Sequence, residues 1–237
     1  MKNLLVILFA TISLVSCDAI NQIYGPGEFG KPNQLEIEDG LKEALVQGIK
    51  TGAYSAGKRD GYLTNNLIKI PWPEDARKVK ATLITIGLEE QVNEVETSIN
   101  RAAEQAASAS VDLFKTAISQ LTFQDVVDII SGDDDAATNY LKRVTSVELT
   151  ERFTPIIDSA LSDVNATRYW TDVITVYNDL PTTFTKVNPE LTPFVTEKAI
   201  DGLFVLIAQE EAKIRKDPIA RTTDLMKKVF GYYQQRY

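Results

Sequence analysis

The chain has 237 residues, 44% of them hydrophobic and 24% charged, enough to bury the core of one domain. It carries 33 acidic against 25 basic side chains, a net of −8, with no histidine and one cysteine. That balance makes it a poor candidate for nucleic acid or anionic lipid surfaces. The missing histidine closes Ser-His-Asp hydrolysis and Cys/His zinc sites, leaving carboxylate, lysine, tyrosine or hydroxyl chemistry.

Lys2 is followed by twelve nearly uniform apolar residues, LLVILFATISLV, from Leu4 to Val15. This run fits the ~7–15 residues of a secretory signal core and is shorter than the ~20 a spanning helix needs. Leu14-Val15-Ser16 before Cys17 resembles a bacterial lipobox, which implies cleavage of residues 1–16 and acylation of Cys17, for instance by palmitate. The alternative is an ordinary signal with a leftover thiol, an awkward group in an exported protein. Two or more acyl chains hold a protein firmly, at about 0.8 kcal/mol per buried methylene. Without residues 1–16 the chain keeps 24 basic and 33 acidic side chains, a net of −9. Asp18 after the cysteine leaves inner and outer membrane both open.

Residues 17–34, rich in glycine and proline after Cys17, read as a lipidated end and tether with a reach on the order of 20–25 Å. From Leu35 the helical period takes over. Ile37, Leu41, Leu45, Ile49 and Ala53 form an apolar ridge beside a small-residue groove of Gly40, Ala44, Gly48, Gly52 and Ala56. Loop signals run from Gly57 to Ile70-Pro71-Trp72-Pro73, and a helix over about 74–86 ends at Gly87. A helical stretch from Leu88 to Leu121 follows, with a bend expected near Ser108–Ser110.

Thr122-Phe-Gln-Asp125 has capping-box order and opens a short helix closed by Gly132. Asp133 to Asp135 lack the alternating spacing of a calcium loop and are expected to cap the next helix. Thr145-Ser-Val-Glu148 reads as another helix start, with a kink or break at Pro155. Thr167 is expected to cap a helix through Asp179, and Asn165-Ala166-Thr167 matches a glycosylation sequon by chance. Pro181 to Pro193 reads as an irregular connection, followed by helices over about 194–216 and 219–235. The sum is an all-α fold: a single bundle of eight to ten helices over 35–237.

One constellation stands out. Ile200, Phe204, Ile207, Glu211 and Ile214 follow the seam of a buried helix face, so Glu211 occupies an apolar position. A carboxylate there needs partners. Arg215 lies one turn on, and Arg101 and Arg143 are further candidates. Asn100, Glu104 and Asp201 complete a set that forms either a structural polar network or a ligand pocket. Gly202 allows backbone or ligand to come close. No metal or cofactor is implied.

GLKEAL (40–45), IPWP (70–73), NRAAE (100–104), AATNYLKRVT (136–145), VTEKAIDGLF (195–204), EEAKIRKDP (210–218) and KKVFG (227–231) occur in this order. Together they resemble the bacterial envelope family called domain of unknown function 4197, over about residues 35–231. The resemblance implies an exported, helical, usually lipid-anchored protein and no activity. The tail YYQQRY reads as this protein's own extension. The expected function is that of a non-enzymatic envelope lipoprotein, lipid-anchored through Cys17 and facing the periplasm, that binds a partner protein or small ligand. A carboxylate-pair glycan hydrolase and an apolar-ligand carrier are the alternatives. The first needs two acids ~5–9.5 Å apart across a cleft; the second needs a large dry cavity.

Overall fold

The computed structural model describes residues 30–163, 166–179, 186–188 and 190–234. The helices are α1 (Gln34–Gly57), α2 (Arg77–Thr85), α3 (Glu89–Ala107), α4 (Ser110–Ser119), α5 (Phe123–Ile130), α6 (Ala136–Asp163), α7 (Ala166–Asp179), α8 (Leu191–Lys216) and α9 (Asp224–Gln234). Short 3₁₀ turns lie at Glu74–Ala76 and Pro218–Ala220, and no strand occurs among the described residues. The all-α reading holds. Residues 1–16, expected to be a signal segment, Cys17, most of the expected tether and Asn165 lie outside the described residues. No described helix is long and apolar enough to cross a membrane.

α1 opens one residue earlier than its apolar pattern suggests, because Asn33 and Glu36 cap each other reciprocally. Its ridge and its small-residue groove are both buried. A methyl at Gly40 would lie 2.8 Å from Val229 Cγ2, and one at Gly52 would lie 3.1 Å from Ile207 Cγ1. The groove therefore seats α9 and α8 at close approach. α8 is the central helix, packed on α1, α6 and α3, and it buries Val195, Ala199, Leu203, Phe204 and Ile207 among others.

The Leu88–Leu121 stretch is two helices, α3 and α4, with the break at Ser108–Ala109. The alanines of RAAEQAASAS at 102, 103, 106 and 107 are fully buried where α3 crosses the bundle. Thr122 and Asp125 form the expected reciprocal cap of α5.

Two expected features of α6 are corrected. Thr145 does not open a helix. It is buried inside α6 and its hydroxyl donates to the Leu141 carbonyl at 2.7 Å. Nor does Pro155 break α6, which runs on to Asp163. The proline is solvent-exposed, while Phe153, Ile157 and Leu161 on the opposite side are fully buried and hold both halves to the core. α7 opens at Ala166, so Thr167 lies inside its first turn rather than before it. Pro193 sits in the first turn of α8, which starts at Leu191, where a missing N–H costs nothing.

Candidate functional site

The sequence-picked polar residues separate into two structural clamps and two surface groups. The first clamp is a row on α3. Glu96, Asn100 and Glu104, spaced i, i+4, i+8, share one face and grip the irregular segment between α1 and α2. Asn100 Oδ1 accepts the Ile70 N–H at 2.8 Å, and its Nδ2 donates to the Ile70 carbonyl at 2.9 Å. Glu104 Oε1 accepts the N–H groups of Tyr62 at 3.1 Å and Leu63 at 3.2 Å. Its Oε2 accepts from Arg101 Nη1 at 2.6 Å, and Arg101 Nη2 reaches Asp60 at 2.7 Å. A buried loop cannot leave its backbone donors unpaired, and this row supplies the acceptors.

The clamp fixes Tyr62, which is fully buried and donates its hydroxyl to the Ala199 carbonyl of α8 at 2.5 Å. Burial first, then the charges of Glu104 and Asp201, push the phenol well above its usual value, so it remains a donor. A methyl at Gly202 would lie 2.7 Å from Tyr62 Cε1. The close approach anticipated at Gly202 is thus made by this ring.

At Glu96, burial raises the carboxyl, but hydrogen bonds to Lys69 and Lys80 outweigh it and hold the group below its ordinary value. A carboxyl depressed by folding contributes stability above its unfolded pKa and loses it as pH falls through the folded one. Glu96→Gln is therefore expected to flatten part of the stability loss on acidification below about pH 4.5, read from unfolding midpoints across pH.

The second clamp centres on Glu211, whose side chain is 9% exposed. Oε1 accepts from Ala137 N at 2.9 Å and from Arg215 Nε at 3.0 Å and Nη2 at 2.8 Å. Oε2 accepts from the Thr138 N–H and hydroxyl, each at 2.8 Å. Arg215 Nη2 also donates to the Ile129 carbonyl at 2.8 Å. The carboxylate thus sits on the positive N-terminus of α6 and the guanidinium on the negative C-terminus of α5. This corrects the expectation that Asp133 to Asp135 cap α6: the acceptor comes from α8, some 70 residues away in sequence. Asp133 and Asp135 contribute backbone carbonyls to the turn, and Asp134 pairs with Lys216.

Arg143 and Asp201 join neither clamp. Arg143 is exposed and stacks near the Tyr140 ring, its Cζ 5.4 Å from the centroid. Asp201 faces Lys142 at 3.4 Å and Lys198 at 3.8 Å, near-half exposed. Alanine at either position is expected to change stability by no more than about 0.5 kcal/mol, checked by urea unfolding.

Sequence reading missed Glu96, Tyr62 and Arg221. Arg221 is buried; its Nε donates to the Ile214 carbonyl at 2.9 Å and its Nη2 to the Arg215 carbonyl at 2.7 Å, closing the end of α8. Its position just past Asp217-Pro218, where a helix has spent its carbonyls, was the available signal.

The Glu211–Arg215 clamp opens onto no space large enough for a ligand, whereas Asp60 at the edge of the first clamp lines an open cleft of about 590 Å³ with Lys58, Asn65 and Glu210. The space beside Glu211 and Arg215, among Leu41, Ile49, Ile207 and Phe230, holds about 20 Å³, roughly one water. More room lies elsewhere. A cleft of about 1100 Å³ opens between the α2–α3 hairpin and α7. Its apolar lining is Trp72, Leu83, Leu88, Val95, Trp170 and Val173, and Glu89, Glu90 and Glu94 stand on its α3 side. The two indole rings meet with centroids 5.2 Å apart. The Trp170 N–H is buried without an acceptor among the described residues.

A family model described as "Protein of unknown function (DUF4197)" matches residues 31–231. The chain belongs to this family. No curated protein and no solved structure matches it. The DUF4197 segments quoted from the sequence supply both clamps: NRAAE brings Asn100, Arg101 and Glu104, AATNYLKRVT brings Ala137 and Thr138, and EEAKIRKDP brings Glu211 and Arg215. Gln234 lies past the DUF4197 match, yet its Oε1 accepts from Arg221 at 2.6 Å, so part of the tail closes the bundle.

Proposed function

We propose that this DUF4197 protein is a non-enzymatic binding module of the bacterial envelope, held by lipid on Cys17, and that the cleft between the α2–α3 hairpin and α7 is its binding site. The observation that carries this reading is the contrast between the clamps and the cleft. Glu104 and Glu211, the buried carboxylates of the clamps, each spend both oxygens on backbone N–H groups and an arginine, and the cleft's own Glu89, Glu90 and Glu94 all stand on its α3 side, with no described acid facing them across it as a glycan hydrolase needs. The cleft instead offers apolar side chains beside polar ones that remain exposed, the composition of a recognition site. The apolar lining beside Glu211 leaves no dry cavity of the size an apolar-ligand carrier needs.

A photoreactive residue placed at Asn93, which is exposed and lines the cleft, should give a discrete crosslinked product in living cells. The same residue at Val147, 76% exposed on α6, should not. Equal products from both positions, or none from Asn93, reject the cleft as the site.

The anchor is tested separately. Cys17→Ser should shift the protein from the membrane to the soluble fraction or leave it unprocessed. An intact mass showing a free thiol and no acyl group on the native protein rejects lipidation.

A further inference from the structure

Resting on the cleft as the binding site, we infer that its occupant is a basic amphipathic helix of a partner protein. The shape argues for a helix. The cleft runs between two helices, and its α3 wall extends from Leu88 to Ser98. At 1.5 Å per residue that is roughly 15 Å, three turns of a partner lying alongside. A helix laid between two others seats its ridge of side chains in their groove. No strand edge exists among the described residues for an extended peptide to pair with.

The apolar stripe such a helix needs has a matching lining. Leu83, Leu88 and Val173 are half-buried, and Trp72, Val95 and Trp170 form the depth of the cleft. On the same hairpin Ile84 is 43% and Ile86 64% exposed, which extends the apolar surface past the mouth. α2 has little holding it to the rest: Val79 is its one buried residue, and it packs on α3 and the preceding 3₁₀ turn. A hairpin attached along one side can adjust to an incoming helix.

The sign of the partner's charge follows from the rim. Glu89, Glu90 and Glu94 are exposed, and among the described residues none of their carboxylates makes an ion pair or hydrogen bond. Among the described residues no lysine or arginine lines the cleft. Lys80 comes within 6.0 Å of the Trp72 ring, but Glu96 holds it at 2.8 Å. Glu89 and Glu90 also complement the N-terminus of α3, so they have a role without a ligand. Glu94 lies beyond the first turn and has no such role. An anionic occupant would face three carboxylates without an ion-pair partner among the described residues, and a chain of net −8.

Both tryptophans of the chain line this cleft, so tryptophan emission, excited selectively over the tyrosines, reports on it. The probe is a synthetic tryptophan-free peptide about four turns long, with leucine at i, i+3, i+4 and i+7 and lysine elsewhere. It is titrated against the full chain carrying Cys17→Ser in detergent-free buffer. The expected result is a saturable change in tryptophan emission, weakened by salt. Glu90→Lys/Glu94→Lys should weaken binding about tenfold and should gain affinity for the same peptide with glutamate in place of lysine. Glu94→Lys alone, outside the first turn of α3, gives the same direction if the double variant unfolds.

A scrambled lysine-leucine peptide binding equally well would overturn the helix. A glutamate peptide binding the native chain equally well would overturn the charge. No binding by any peptide, with crosslinking from Asn93 intact, overturns the helical occupant and leaves the cleft as a site. Loss of the Asn93 crosslink as well removes the site itself.

Discussion

Glu211→Ala is expected to lower the unfolding free energy by about 3–5 kcal/mol, the usual result of stranding a buried ion-pair partner. The substitution leaves Arg215, whose side chain is 12% exposed, with two carbonyls and no counter-charge. It also strands the N–H groups of Ala137 and Thr138 at the first turn of α6. Against a total stability of about 5–15 kcal/mol for a domain, this is a large share. Glu211→Gln should fall between native and alanine. Its carbonyl can keep the Ala137 and Arg215 side of the contact, but its amide NH₂ must face the Thr138 N–H, a donor against a donor. Glu211→Leu should be nearly as damaging as alanine, because Arg215 is tied to the end of α5 and a leucine accepts no hydrogen bond. Urea unfolding followed by circular dichroism ranks the three. Losses below about 0.5 kcal/mol in all of them would mean the carboxylate is not holding α5, α6 and α8 together.

Glu104→Ala is expected to cost a similar amount, about 3–5 kcal/mol, but with a local signature. Glu104 is 4% exposed and accepts two backbone N–H groups that have no other described partner. Its loss frees the loop that presents Tyr62 to Ala199. Hydrogen exchange at the Tyr62 and Leu63 amides should accelerate more than exchange in α6. Arg101→Ala should cost less, about 1 kcal/mol, because Arg101 is 30% exposed and its Asp60 partner 44%. Glu104 and Glu211 share no hydrogen-bond partner, so the double variant should lose the sum of the single losses to within about 0.5 kcal/mol. Uniform acceleration of exchange throughout the chain in Glu104→Ala would show that the loop and the bundle unfold as one unit.

The helices were legible because their causes are local. The ridge and groove of α1, the box at Thr122 and Asp125, the bend at Ser108 and the stop at Gly87 all depend on spacings of a few residues. Glu211 was legible too, as a carboxylate on an apolar seam with Arg215 one turn away. Where local signals misled, packing decided. Thr145 carries a start signal, but its hydroxyl has the Leu141 carbonyl as partner inside a helix already running. Pro155 carries a stop signal, but it faces water while Phe153 and Ile157 anchor both sides.

The sequence by itself determined that this is a helical bundle without histidine chemistry, and that Glu211 had to find partners. Only the tertiary structure decided who they are. The acceptor for the start of α6 comes from α8, the acceptor for the Tyr62 and Leu63 amides comes from α3, and Trp72 meets Trp170 from 98 positions away. A backbone N–H looks the same in every residue, so no spacing announces which distant carboxylate will reach it. The cleft is hidden for the same reason. Its tryptophans and glutamates look like ordinary core and ordinary surface until two helices stand far enough apart to leave room between them.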